Sequence, residues 1–170
     1  MFGSISAWFW KYLAGITPLE DGWRKVRVAP SFGELCLETD SDSVSPPLSS
    51  AEAILGSVEA TLGTVAGDVH IQWELDTTTR TRSDRFGHSH QAQLHVRVPV
   101  HAEVVMPCVP KGTEIIEVLS GTVVWRDNAL QETSLGALVR SGMRDMSGGV
   151  VFQVGAGEYM FRRQQRDRDA

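Results

Sequence analysis

Carboxylates are the first residues in this sequence that could do chemistry, because two of them facing each other across a cleft can act as acid and base. Glu34, Glu38, Asp40, Asp42, Glu52, Glu59, Asp68 and Glu74 are scattered through its first half. Where they fall in strand-like segments they alternate with apolar residues, which puts them on a solvated face rather than around a substrate. Imidazoles come next. His88-Ser89-His90 with His95 could supply three metal ligands, since His-x-His sets two rings on one side of a strand. They lie in and just after a polar loop, with no cysteine or carboxylate signature beside them, so no metal is assigned. Cys36 and Cys108 lack the neighbours of a nucleophile, and there is no Gly-x-Ser-x-Gly elbow. Gly155-Ala156-Gly157 leads into a strand, not a helix, and so does not cradle a phosphate. The expectation is no catalytic residue, no metal and no cofactor.

Aromatic rings remain, and a flat ring can stack on the face of a sugar. Trp23, Trp125 and Tyr159 are the candidate carbohydrate-binding residues. Trp125 shares a face with Val123 and Tyr159 with Phe161, so each also fits a core position, as does Trp73 in register with Val69 and Ile71. Trp10 lies off the main apolar stripe of its segment and, with Ala7 and Ala14, is a candidate interface.

The elements that must position these residues are mostly short strands. Leu94, Val96, Val98 and Val100 alternate with His95, Arg97, Pro99 and His101, the period of a half-buried strand. Pro99 has no backbone donor and should end or kink that strand. A second run, Glu103 to Met106, is closed by Pro107 and Pro110. Upstream, Trp23 to Val28 reads as a strand ended by Pro30, and Leu35-Cys36-Leu37 as a short one. Ser57 to Leu62 and Val69 to Leu75 form a hairpin turning at Gly63 and Ala66-Gly67-Asp68. Downstream, strands are expected at Glu114–Leu119, Thr122–Trp125, Val150–Val154 and Glu158–Phe161, with an irregular stretch to about Met146. Residues 76–91 read as a long exposed loop and residues 162–170 as a charged, solvated tail.

One helix is expected, from Gly3 to Gly15 within an N-terminal unit 1–18. Ser4 can cap it, Gly15 suits its C-terminal turn and Pro18 prevents its continuation. Phe2, Ile5, Trp8, Phe9, Tyr12, Leu13 and Ile16 share one face. The other, with Ser4, Ala7, Trp10, Lys11 and Ala14, carries a single charge. A helix of this kind packs on two sides. The body, residues 19–161, reads as an antiparallel β-sandwich, jelly-roll-like, so the fold class is mainly β with one N-terminal α-helix.

Size and charge set further bounds. A chain of 170 residues fits one domain and can bury ~70% of its unfolded surface. Its net charge of −5 offers no electrostatic footprint for nucleic acid. Two cysteines are too few for a disulfide framework. No apolar run is long enough to span a membrane, and no basic n-region precedes the apolar N-terminus. A soluble chain is expected, with no membrane partner and a cytoplasmic location.

In order along the chain, several segments resemble the C-terminal end of bacterial-type α-L-rhamnosidases, a glycoside hydrolase family. Phe2-Gly3-Ser4-Ile5 with Trp8, Tyr12 and Ala14-Gly15-Ile16 resembles the last helix of that family's (α/α)6 barrel. Gly22-Trp23-Arg24-Lys25-Val26 into Ala29-Pro30 resembles the strand leaving the barrel. Gly67-Asp68-Val69 into Trp73 resembles its central hairpin. Val98-Pro99 with Ala102-Glu103-Val104-Val105 and Pro107 resembles its proline-framed strands, and Val150 to Phe161 its closing strand. The resemblance runs from about Phe2 to Phe161. The 76–91 insert and the stretch from Asn128 to Met146 depart from it. The resemblance implies a β-sandwich packed against a catalytic barrel. The family's acid and base precede the matched segment, so no catalytic residue carries over.

Two functions follow as expectations. One is a non-catalytic accessory or carbohydrate-binding β-sandwich, or a piece of a larger glycoside hydrolase, with no chemistry of its own and facing a rhamnose-containing glycan or a catalytic barrel domain. The other is an interaction module whose N-terminal helix docks a partner chain or a second copy of itself.

Overall fold

The computed structural model describes residues 3–31, 56–76, 91–107, 109, 112–131, 139–144 and 148–165. Cys36, Cys108, His88, His90, most of the 76–91 loop and the strand expected at Leu35–Leu37 lie outside the described residues.

The chain opens with α1 (Gly3–Trp8), which widens into a π-helical turn over Phe9–Leu13. There the Ala14 N–H donates to the Phe9 carbonyl at 3.0 Å. Gly15 stops the helix with φ 68°. Its carbonyl accepts from the Ala29 N–H at 2.9 Å. A Cβ at Gly15 would lie 1.9 Å from the Ala29 oxygen, so only glycine fits. Beyond it the chain enters β1 (Ile16–Pro18), which doubles back antiparallel on β2 (Lys25–Val28), with Ile16 opposite Val28. The sequence reading placed Ile16 on the helix. It belongs instead to the sheet, 3% exposed.

The expected hairpin forms from β3 (Ser57–Thr64) and β4 (Gly67–Asp76). Val69, Ile71, Trp73 and Leu75 point inward and are buried. Thr64 closes the turn, donating its Oγ1 proton to the Gly67 carbonyl at 2.6 Å. Then come β5 (Gln91–Val98) and β6 (His101–Met106), split at Pro99 as their sequence demands. The remaining strands are β7 (Thr113–Glu117), β8 (Thr122–Arg126), β9 (Ala129–Leu130), β10 (Val139–Arg144), β11 (Val150–Val154) and β12 (Gly157–Gln165).

These strands make two sheets. One has five strands in the order β1-β2-β6-β11-β10, the other seven in the order β3-β4-β5-β12-β7-β8-β9. Among the described residues every pairing is antiparallel except β2 with β6. The Pro99–Val100 step therefore carries the chain from one sheet to the other, and Gly155-Ala156 carries it back. Phe152 on β11 stacks on Phe161 on β12, ring centroids 4.9 Å apart, which ties the two layers together. The fold is the mainly-β sandwich with one short N-terminal helix that the sequence implies.

Two stretches differ from the sequence reading. The irregular stretch to Met146 contains β9 and β10, two edge strands whose apolar alternation is too short to read. The tail expected from Arg162 is strand as far as Gln165, and Arg163 is buried. This end of β12 is held between β5 and β7, with Arg163 opposite both Ala92 and Ile115. Pairing on both sides overrides a polar sequence that reads as solvated.

Candidate functional site

Three surface features bear on function, and the N-terminal helix is the first. Its face is the reverse of the one expected. Trp10 and Ala14 pack on the sandwich, with Ala14 1% exposed, while Ala7 is exposed alone. The aromatic stripe instead faces solvent: Ile5 is 59% exposed, Tyr12 50%, Trp8 and Phe9 each 49%. Of the candidate interface Ala7, Trp10 and Ala14, two residues are thus turned to the sandwich, and the exposed apolar face is Ile5, Trp8, Phe9 and Tyr12. Both faces are apolar, so periodicity alone could not say which one the sandwich takes. Anchoring decides it, because the Gly15–Ala29 bond fixes the helix end with Ala14 turned inward. The exposed rings cluster, with Trp8 5.5 Å from Phe9 and 5.7 Å from Tyr12 between centroids. Lys11 lies over the Tyr12 ring at 5.3 Å, so even the segment's one cation rests on the aromatic surface.

The second feature is the outer face of the five-stranded sheet. Glu103, midway along β6, binds three neighbours. Lys25 Nζ donates to Oε1 at 3.0 Å, Gln153 Nε2 to the same oxygen at 2.8 Å, and Arg27 Nη1 lies 3.8 Å from Oε2. Burial pushes the Glu103 carboxyl up, but the bonds from Gln153 and Lys25 and the charges of Lys25 and Arg27 outweigh it. The net result is a pKa below the ordinary value of 4.5. Beside this group opens a cleft of about 270 Å³ between Glu20, Arg24, Lys25, His101, Gln153 and Val154. A turn roofs it. Asp21–Trp23 form one turn of 3₁₀ helix, and the Leu19 N–H donates to the Lys25 carbonyl at 2.9 Å. Gly22 and Trp23 both have positive φ, 69° and 59°. For a tryptophan that conformation costs on the order of 1–3 kcal/mol. Packing of its ring against the core holds it there and sets Arg24 at the cleft.

The third feature is a polar row across the seven-stranded sheet. Thr61 Oγ1 meets His70 Nδ1 at 2.9 Å, the His70 and His95 rings meet edge to face at 5.7 Å, and His95 Nε2 meets Glu158 Oε1 at 2.7 Å. His95 is thus paired with a carboxylate. Among the described residues no cluster of His, Cys, Asp or Glu could hold a metal ion.

Of the carbohydrate candidates, Trp125 and Tyr159 are each 2% exposed and offer no ring face to a sugar. A β-bulge opposite Ile115–Ile116 turns both Val124 and Trp125 inward. Tyr159 stacks near Phe161 and donates its hydroxyl to the Gly155 carbonyl at 3.2 Å. Trp23 is half-buried, its ring against the core. Glu59, Asp68 and Glu74 are exposed, as alternation implied. Sequence reasoning passed over Glu117, which is 2% exposed and accepts from the N–H groups of Ser120 at 2.8 Å, Met160 at 3.1 Å and Leu119 at 3.3 Å. It holds the turn between β7 and β8. It also passed over Arg24 and His101 at the cleft, where only the meeting of β2 and β6 brings them together. No helix among the described residues is long and apolar enough to cross a membrane.

A sequence model of the family described as bacterial α-L-rhamnosidase C-terminal domain matches residues 15–119. No curated protein matches the chain in sequence. Among solved structures, the fold is similar to α-L-rhamnosidase from Dictyoglumus thermophilum, with TM-score 0.59 and 23% identity over 96% of this chain and 14% of that one. It is also similar to Streptomyces avermitilis α-L-rhamnosidase complexed with L-rhamnose, with TM-score 0.53 and 21% identity over 95% of this chain and 11% of that one. The chain therefore spans a small part of the length of either enzyme.

Proposed function

The chain belongs to the bacterial α-L-rhamnosidase C-terminal domain family, and from that premise we propose that it is a non-catalytic accessory domain of a larger glycoside hydrolase, held to the catalytic part by its N-terminal helix. The observation that carries this reading is the exposed face of Ile5, Trp8, Phe9 and Tyr12. Three half-exposed aromatic rings leave roughly 75–125 Å² each in water. With Ile5 the patch reaches about 300–450 Å², within the range of the largest apolar patch on a typical monomer, which is often functional. Two such patches face to face would bury less than the ~1,200 Å² of a standard interface, which disfavours a stable pair of copies. A covalently linked partner needs no such area, because linkage raises the effective concentration to the order of millimolar. That the two similar enzymes exceed this chain several-fold in length supports a large partner of that kind.

Carbohydrate binding through Trp125 or Tyr159 is not part of the proposal, because both are buried. The test joins this chain to an α-L-rhamnosidase barrel lacking its own C-terminal domain and follows amide exchange over residues 3–14. Protection of those amides in the fusion, lost in a Trp8→Lys variant, is the expected result. Equal exchange in the free chain and the fusion would overturn the reading.

A further inference from the structure

The cleft bordered by Glu20 and Arg24 has a chemistry of its own, and none of its lining residues belongs to the N-terminal helix. Its volume of about 270 Å³ falls below the ~300 Å³ where pockets for drug-sized molecules begin, so it has room for about one sugar ring. Its walls mix donors with acceptors. Arg24 brings a guanidinium fork, Lys25 an ammonium, His101 an imidazole, Gln153 an amide and Glu20 a carboxylate. The side chains of Glu20, Arg24 and His101 have no hydrogen-bond or ion-pair partner among the described residues. Lys25 and Gln153, by contrast, are fixed, because both donate to Glu103 beside the cleft. The cleft thus has a rigid base and a rim of uncommitted polar groups.

Charge narrows what fits. Lys25 and Arg27 more than offset Glu103, and Arg24 adds a positive charge against the single negative charge of Glu20. A monoanion suits that balance, whereas a phosphate dianion would meet Glu20. A bare carboxylate, such as an acidic side chain of another domain, would satisfy Arg24 and leave the acceptors Glu20 and Gln153 idle. A ring bearing both hydroxyls and one carboxylate uses all of them, the fork of Arg24 taking the carboxylate. We propose that this cleft is a subsite for a sugar acid, one pyranose ring carrying a carboxylate, as a uronic acid does.

The test titrates the intact 170-residue chain with methyl β-D-glucuronide, methyl α-L-rhamnoside and acetate, followed by amide chemical shifts. The glucuronide should move the amides of Arg24, Lys25, His101 and Gln153. Arg24→Ala should weaken it by about 10-fold or more, as expected for loss of a charge-assisted pair. Arg24→Lys should recover part of that, keeping the charge but not the fork, and His101→Ala should weaken binding without lowering the melting temperature. Trp8→Lys should leave binding unchanged, so failure here and failure of the helix seam are read separately. No glucuronide binding would overturn the proposal, as would acetate or the rhamnoside binding equally well at these residues, or an Arg24→Ala variant that binds as the parent does.

Discussion

Replacing Trp8 and Trp10 in turn separates the two faces of the N-terminal helix. Trp10 packs on the sandwich. Covering roughly 100–150 Å² of an indole at ~25 cal/mol per Å² is worth about 2.5–4 kcal/mol, so Trp10→Ala should lower the stability of the free chain by an amount in that range. Trp8 is 49% exposed, and its ring contacts are with Phe9 and Tyr12 on its own segment. Trp8→Ala should therefore cost only the aromatic pairing, about 0.5–1.5 kcal/mol. Urea unfolding monitored by far-ultraviolet circular dichroism measures both, with an unchanged m-value confirming that the folded and unfolded states are comparable. The helix could instead detach before the sandwich unfolds, and exchange of the Ala14 amide, which donates to Phe9, reads that opening directly. In a fusion to a catalytic barrel the ranking should invert. There Trp8→Lys exposes a seam that had buried the other half of the ring, about 125 Å² or 3 kcal/mol, a loss on the order of 100-fold in docking. A Trp8 variant less stable than the Trp10 variant in the free chain would refute the assignment of faces, and with it the proposed seam.

Gly15→Ala should be among the most damaging single changes, on the order of 3 kcal/mol or more. It combines a left-handed backbone at φ 68° with a Cβ 1.9 Å from the Ala29 carbonyl oxygen, and thermal unfolding of the variant measures it. Glu117→Ala removes the acceptor for three backbone N–H groups. Leu119 and Ser120 are exposed and regain water, so about 2–3 kcal/mol is expected by urea unfolding, and less than about 0.5 kcal/mol would show that the turn holds itself. The carboxyl of Glu103 titrates below its ordinary value of 4.5 in the folded chain, so its contribution is complete above that pH and is lost as pH falls through the lower folded pKa. Glu103→Gln should therefore flatten the acid limb of the stability–pH curve below about pH 4.5, and an acid limb identical to the parent's would contradict the sign.

What the sequence reveals here depends on whether a local pattern or a distant partner settles a residue's place. Alternation in 94–98 and 69–75 predicts buried faces correctly because one strand's own period decides which side chains turn inward. Pro99 marks the step between sheets for the same local reason, a missing donor. The helix fails this test, since a segment apolar on both faces carries no information about which one the sandwich takes. That choice rests on one bond, from Ala29 to Gly15, across a gap of fourteen residues that no periodicity spans. Arg163 shows the same limit from the other side, its charged neighbours reading as solvated until β5 and β7 enclose it. The cleft lies furthest from local pattern. Arg24 and Lys25 meet His101 only because β2 runs parallel to β6, with Lys25 opposite His101, and Gln153 arrives through β11. A parallel pair in an otherwise antiparallel fold is what a reader of hairpins does not expect. It is also what assembles three segments distant in sequence into one polar recess, so the least legible feature of the fold is the one on which the proposed sugar-acid subsite rests.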